Sequence, residues 1–312
     1  MTSCTIIISH FKSPEFLKAC LRQIIKHRHP DIIQHICIVD QSPLGYIDLG
    51  DANFDPQDKI TIVNTKPLYS GYGIDYVMRN INIDSEYVCQ IHVDAFPIHK
   101  NWLYLSIKLI EEFGLSFVGQ HQFFCDGIQS IYPPDKFFAM SQCFNVARTE
   151  TYKEMSMEAG FTRFHEREKT DMTFKSNDWA QWASHDYHAR GTDDDVVAFH
   201  WGDKYREHDK LGFAITGMIN TAEQGGSFGR VIESVVFHFC SARESIGVMS
   251  LMPQKYQDYY RRIQEGFTDE LLNEMLAEVK PNNFDRTVWN GTTKTASAAS
   301  PALNNIIEEL KK

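Results

Sequence analysis

The stretch Thr5–Leu21, TIIISHFKSPEFLKACL, sets the frame for the rest of the chain. Thr5-Ile6-Ile7-Ile8 is a β-branched run without alternation, which reads as a short strand buried on both faces. Ser13-Pro14 then offers a capping residue followed by a proline suited to a first helical turn. Behind it Phe16, Leu17, Cys20, Leu21, Ile24 and Ile25 recur at helical spacing, and Pro30 is expected to stop the run. The same alternation continues outward. Ile36–Val39 predicts a second strand ending at Asp40, Pro43–Gln57 a loop, and Ile60–Val63 a third strand. Gly71 and Gly73 bracket a turn before a helical pattern through Ile74, Val77, Met78 and Ile81. Tyr87–Val93 predicts a fourth strand finishing at Asp94, and Trp102, Leu105, Leu109, Ile110 and Phe113 line one face of a further helix before a strand at Ser116–Val118. Strands alternating with helices predict an α/β fold with a mixed, mostly parallel sheet flanked by helices.

The composition narrows the class. With 312 residues the chain suits one large domain or two. Hydrophobic residues at 43% and charged residues at 23% exclude disordered, collagen-like and coiled-coil chains. A net charge of −10, from 31 Lys+Arg against 41 Asp+Glu, disfavours nucleic-acid binding by charge alone. Ile6–Ile8 is too short for a signal-peptide core or a membrane span. Seven cysteines without a CxxC pair read as reduced thiols, mostly small core residues. A soluble cytoplasmic protein is expected, with peripheral attachment to a membrane left open.

Beyond residue 120 the periodicity weakens, and aromatic, His and acidic residues dominate to Asp209, as in loops that shape a cleft on a regular scaffold. Val235–His238 restores a strand signal, and residues 253–280 read as helix with Leu271, Leu272, Met275, Leu276 and Val279 as the apolar stripe. Residues 281–302, rich in Asn, Thr, Ser and Ala, predict a flexible tail, followed by a short amphipathic helix over Leu303–Leu310.

In open α/β sheets ligands settle at the carboxyl ends of the strands. Polar residues stand at three of these ends: Ser9-His10, Asp40-Gln41-Ser42 and Asp94. Asp40 suits a base N–H or a ribose hydroxyl, and Asp94 suits a divalent metal against a diphosphate. Each has a plainer reading, Asp40 as a turn former and Gly71 and Gly73 as suppliers of positive φ. Likewise Asp193, Asp194 and Asp195 fit a helix start, where acids favour the dipole, as readily as a catalytic carboxylate. His185, His188, His200 and His208 invite a metallohydrolase reading, but without HExxH or CxxC they are expected to be solvated or cleft-lining. Trp179, Trp182 and Trp201 suit either a core or a sugar-stacking platform.

Taken in order, these segments resemble family 2-type glycosyltransferases with the GT-A fold. Thr5–Leu21 is similar to the family's opening strand, turn and helix, with Ser9–Ser13 in place of its Pro-Thr-Tyr-Asn-Arg-like turn. Ile36–Ser42, ICIVDQS, resembles the second strand with its nucleoside-binding Asp, and Ser70–Asn80 the glycine-containing segment beside the nucleotide. Tyr87–Leu103 resembles the segment carrying the Asp-x-Asp motif, here His92-Val93-Asp94, so only the second carboxylate is present. A His ligates Mn²⁺ and suits Mg²⁺ poorly, but the expectation for His92 is a partly buried, hydrogen-bonded residue. Met140–Tyr152 is similar to the donor-sugar segment, Thr192–Val196 to the acidic motif supplying the catalytic base, and Val236–His238 to the late strand whose His completes the metal site.

The resemblance covers residues 4–118 well and the rest loosely. It implies a GT-A-like (Rossmann-like) domain over 1–245, split into a nucleotide-binding half (1–118) and a donor-sugar and acceptor half (119–245), then a C-terminal helical extension (246–280) and a tail (281–312). The implied activity is metal-assisted, inverting transfer from a nucleotide-sugar, a UDP-sugar first, to a hydroxyl acceptor: a glycan, a lipid-linked sugar, a protein or a modified nucleobase. It assigns Ser9, His10, Phe11, Asp40, Gly71, Asp75 and Val93 to the nucleotide. Asp94 and His238 go to Mn²⁺ or Mg²⁺, and Asp193, Asp194 or Asp195 serves as base. A nucleotidyltransferase is the first rival, although Ser9–Ser13 offers only Lys12 where a Gly-rich basic phosphate loop is needed. A non-catalytic nucleotide- or sugar-binding protein of the same fold is the second.

Overall fold

The computed structural model describes residues 2–43, 47, 49, 52–65, 76–78, 80–113, 117–122, 139–150, 153, 212–216, 230–232, 235–239, 254–278, 285–289, 297–298, 309 and 312. The opening stretch forms β1 (Thr2–His10) and α1 (Pro14–Lys26), followed by β2 (Ile32–Asp40) and β3 (Lys59–Asn64). β1 pairs in parallel with β2, which pairs in parallel with β3. β1 and β2 are longer than the apolar runs that announce them, because backbone pairing extends through polar residues to His10 level with Asp40. Pro14 opens α1 at its first turn, yet the Ser13 hydroxyl donates to Phe11 O (3.0 Å) instead of capping. The helix ends at Lys26, short of Pro30, and buries Phe16, Leu17, Cys20, Leu21 and Ile24. Those side chains meet Ile6, Ile8, Ile36 and Ile38 in one continuous core.

β4 (Tyr87–His92) lies parallel on the other side of β1, with Ser9 level with His92. After it come β5 (Ala95–Pro97), α2 (Trp102–Phe113), β6 (Phe117–Gln122) and β7 (Ala139–Arg148). β7 runs antiparallel between β4 and β6. β8 (Gly212–Thr216) joins β6 in parallel. With β11 at Asp285–Trp289 and β12 at Ser297–Ala298, the nine-stranded sheet has the order β12-β11-β8-β6-β7-β4-β1-β2-β3, and β7 and β11 alone run against the others. The class is therefore α/β with a mixed, mostly parallel sheet flanked by helices. A second sheet of three antiparallel strands has the order β5-β10-β9, with β9 at Arg230–Ile232 and β10 at Val236–His238. Phe16 of α1 packs on Phe96 (ring centroids 6.4 Å) and Phe239 (5.4 Å), so one helix braces both sheets.

In the C-terminal part the helical expectation holds with a break in it, and the expectation of a tail changes. Residues 253–280 form two helices, α3 (Gln254–Glu265) and α4 (Asp269–Glu278). Gly266 separates them at φ +152°, a conformation L side chains rarely adopt, and the Thr268 hydroxyl caps α4 by accepting from Leu271 N at 3.1 Å. Ile263, Leu271, Leu272 and Met275 join the core, and Asp269 accepts from Lys26 Nζ of α1 at 2.8 Å. Part of the segment expected as a tail is sheet: β11 (Asp285–Trp289) pairs antiparallel with β8, and β12 (Ser297–Ala298) with β11. Thr287-Val288-Trp289 is a β-branched and aromatic run that favours strand within an otherwise polar stretch. Among the described residues no helix is long and apolar enough to cross a membrane.

Candidate functional site

Two groupings of His and Asp side chains occupy the carboxyl edge of the main sheet. The first joins the ends of β1 and β2. His10 Nδ1 lies 3.0 Å from Asp40 Oδ1, and neither side chain has any exposure. Ser13 N–H donates to His10 Nε2 at 3.2 Å, which makes Nε2 the acceptor. The ring proton therefore sits on Nδ1 and is given to Asp40. Ser42 N–H adds a second bond to Asp40 Oδ1 at 2.9 Å, while the Ser42 hydroxyl accepts from Lys12 N at 2.8 Å. Lys12 has φ +50°, the left-handed region, which turns the chain sharply between β1 and α1. Gln41 N–H closes the edge on His10 O at 2.9 Å. The two groups that bond to Asp40 among the described residues, His10 Nδ1–H and Ser42 N–H, both meet the same carboxylate oxygen. Asp40 Oδ2 is buried and has no hydrogen-bond partner among the described residues. An orphaned acceptor of this kind costs about 1–3 kcal/mol, a cost a ligand N–H or O–H would remove.

The second grouping lies at the end of β4 and in the small sheet. Asp94 follows β4 in a turn, and its carbonyl accepts from Phe239 N at 2.9 Å. β10 pairs with β5 so that His238 is level with Ala95, next to Asp94. His238 Nε2 reaches Asp94 Oδ1 at 3.2 Å, and His92 Nδ1 stands 3.8 Å from the same oxygen. One ligand atom from each of the three side chains lies within 4.8 Å of the others, so His92, Asp94 and His238 could hold a metal ion. His92 presents Nδ1 to Asp94 Oδ1, while its other ring nitrogen, Nε2, is buried without a hydrogen-bond partner among the described residues. The hydrogen-bonded role expected for His92 is thus not what its ring nitrogens show. Cys20 of α1 comes close, its thiol 3.9 Å from His92 O. Burial pushes that thiol's pKa well up, and the nearby Asp94 charge adds to the effect.

Of the nucleotide residues named from the sequence, Ser9, His10 and Asp40 sit on neighbouring strand ends. Phe11 is 36% exposed beside them, and Val93 packs against the core. Asp94 and His238 come together, and His92 joins them. Gly71, Asp75, Asp193, Asp194 and Asp195 lie outside the described residues, as do His185, His188, His200, His208 and the three Trp residues. Sequence reasoning read Ser13 as a helix cap and Ser42 as a polar residue at a strand end, and missed that their backbone N–H groups fix His10 and Asp40. No side-chain pattern announces a backbone donor. No protein-family model matches the chain, and no curated protein matches it either.

Proposed function

We propose that the protein is a GT-A-like glycosyltransferase that moves a sugar, with inversion, from a nucleotide-sugar to a hydroxyl acceptor. The observation that carries this reading is the pairing of one open carboxylate oxygen, on Asp40, with a three-residue group that could hold a metal, gathered from the end of the next strand but one, the turn after it and β10. Strands in a sheet stand about 4.8 Å apart, so the ends of β2 and β4 are roughly 10 Å from each other. That span suits a nucleoside held at one end and its diphosphate at the other. Asp40 Oδ2 would accept from the base or ribose, with Phe11 available to cover the ring. His92, Asp94 and His238 would hold a divalent ion, which supplies positive charge against the departing diphosphate.

In the transfer itself the acceptor hydroxyl oxygen forms a bond to the anomeric carbon from the face opposite the diphosphate. The carbon–oxygen bond to the diphosphate breaks and its electron pair leaves with the phosphate oxygen. The hydroxyl proton passes to a carboxylate, which the resemblance assigns to Asp193, Asp194 or Asp195.

The test is a panel of UDP-, GDP- and dTDP-sugars, with and without Mn²⁺ or Mg²⁺, read by thermal shift and by donor hydrolysis. Stabilisation by one donor that strengthens with the metal is expected, together with slow release of the free sugar. No shift with any of them overturns the reading. A shift without turnover of the donor, with acceptors of each class supplied, favours a binding protein instead.

A further inference from the structure

Resting on the metal-holding reading above, we propose that this centre selects transition-series divalent cations, Mn²⁺, Co²⁺, Fe²⁺ or Zn²⁺, over Mg²⁺ and Ca²⁺, and that His92 is the ligand that sets the selection. The donor set is two imidazoles and one carboxylate. Mg²⁺ and Ca²⁺ take oxygen ligands, and Mg²⁺ gives up its water reluctantly, whereas imidazole nitrogen suits the transition series. With a carboxylate in place of His92 the centre would be mostly oxygen and would accept either class. The imidazole there removes that choice.

The geometry supports ligation by His92 over a bystander role. Ligands about 2.0–2.2 Å from one ion, at angles between octahedral and tetrahedral, stand roughly 2.8–3.6 Å apart. The observed separations from Asp94 Oδ1 are 3.2 Å to His238 and 3.8 Å to His92, close to that range with nothing rearranged. The longer one is not a hydrogen bond, so Asp94 does not hold His92 by itself. The backbone nevertheless keeps all three in place. His92 ends a strand paired with β1, and Asp94 and His238 are pinned by the β5–β10 pairing and by Phe239 N–H. His238 and Asp94 are 7% and 8% exposed and His92 is 27% exposed, which leaves an approach on the His92 side for a further ligand. Two neutral imidazoles and one carboxylate also leave a divalent ion with a net charge of +1, suited to an anionic ligand.

The experiment uses the full chain, stripped with a chelator, titrated calorimetrically with MnCl₂, CoCl₂, ZnCl₂ and MgCl₂. Visible absorption of the Co²⁺ form reports nitrogen ligation independently of any activity. One ion per chain is expected, with affinity rising from Mn²⁺ through Co²⁺, and Mg²⁺ at least about 100-fold weaker than Mn²⁺. His92→Ala and His92→Gln should each weaken Co²⁺ binding by about 10-fold or more and change the Co²⁺ spectrum. His92→Asp should narrow the gap between Mn²⁺ and Mg²⁺. Circular dichroism on each variant confirms that the fold is kept. Equal affinity for Mg²⁺ and Mn²⁺, or a Co²⁺ spectrum that neither His92 variant alters, overturns the inference. The expected cation order with no response to any nucleotide-sugar leaves this inference standing and removes the glycosyl-transfer reading. Absence of any cation binding removes the inference and the metal part of that reading together.

Discussion

His10 and Asp40 meet at 3.0 Å with no exposure and with backbone N–H groups of Ser13 and Ser42 holding both partners, whereas His92, Asp94 and His238 gather at 3.2 and 3.8 Å with one ring partly open to solvent. The residue types are the same and the sheet edge is the same. The backbone donors make the difference. At the first grouping they fix the tautomer of His10 and load both bonds onto one oxygen of Asp40, so that a single acceptor is left. At the second grouping, no bond of His92 through Nε2 exists among the described residues, and the three side chains converge on a shared point. The first grouping presents a single open acceptor, and the second is one that could hold a cation.

The largest effect that separates the two comes from Asp94→Ala, which removes the only carboxylate of the metal-holding group. For the proposed transfer, loss of charge stabilisation worth several kcal/mol corresponds to a fall of about 10³-fold or more in kcat/KM. The Mn²⁺-induced thermal shift should disappear in the same variant. Retention of either would show that the cation is held elsewhere. Asp40→Asn tests the other grouping more gently. The amide oxygen can still accept from His10 and Ser42, but an NH₂ replaces the open oxygen. Hydrogen bonds to charged groups contribute about 1.5–3 kcal/mol, so nucleoside diphosphate affinity should fall about 10- to 100-fold, with metal affinity unchanged. Calorimetry with and without Mn²⁺ reads both numbers on one sample.

The parallel half of the sheet was legible because its signals are local. Ile6–Ile8 and Ile36–Val39 are unbroken apolar runs and Tyr87–Ile91 is interrupted only by Gln90, each closed by a polar residue that the structure sets at the carboxyl edge. The meeting of Asp94 with His238 was legible only through a family resemblance, since 144 positions separate them and a small antiparallel sheet has to bring them together. That His92 stands beside these two was hidden for a related reason: alternation along a strand shows which residues share a face, but not that a distant strand supplies a second imidazole. The break at Gly266–Thr268 was in plain view as a glycine followed by a capping residue, and the helical stripe on either side masked it. β11 was hidden by its polar flanks, which dominate a composition-based reading.

His10→Ala should have a smaller effect, on stability first. It strips one donor from Asp40 Oδ1 and the acceptor from Ser13 N–H, both buried, for a loss of about 2 kcal/mol in denaturant unfolding. His10→Asn places an amide NH₂ near the former Nδ1 and should recover part of the loss, whereas His10→Gln, whose amide lies nearer the former Nε2, should recover less. Equal losses in all three variants would mean that ring packing, and not the bond to Asp40, is what His10 supplies.

The smallest effect belongs to a histidine outside both groupings. His27, half-buried at the C-terminal end of α1, has its pKa lowered from 6.5 to about 4, first by burial, then by Lys26 and His99, with Asp269 opposing. In the unfolded chain the same ring takes up its proton near pH 6.5. Between pH 6.5 and 4 the unfolded state therefore binds more protons, and stability falls as the pH falls through that window. Below pH 4 both states are protonated and this group causes no further loss. Because the ring is partly exposed, the full shift is discounted to on the order of 1 kcal/mol. His27→Gln should flatten this part of the acid limb while leaving the bonds of His10 and Asp40 intact. Asp269 acts lower on the scale: its hydrogen bond from Lys26 depresses its pKa from 3.8, so its contribution is present above that value and is lost as the pH drops through the depressed one. Urea unfolding at half-unit intervals from pH 7 to 3 separates the two, and an acid limb unchanged in His27→Gln would assign the loss above pH 4 to another group.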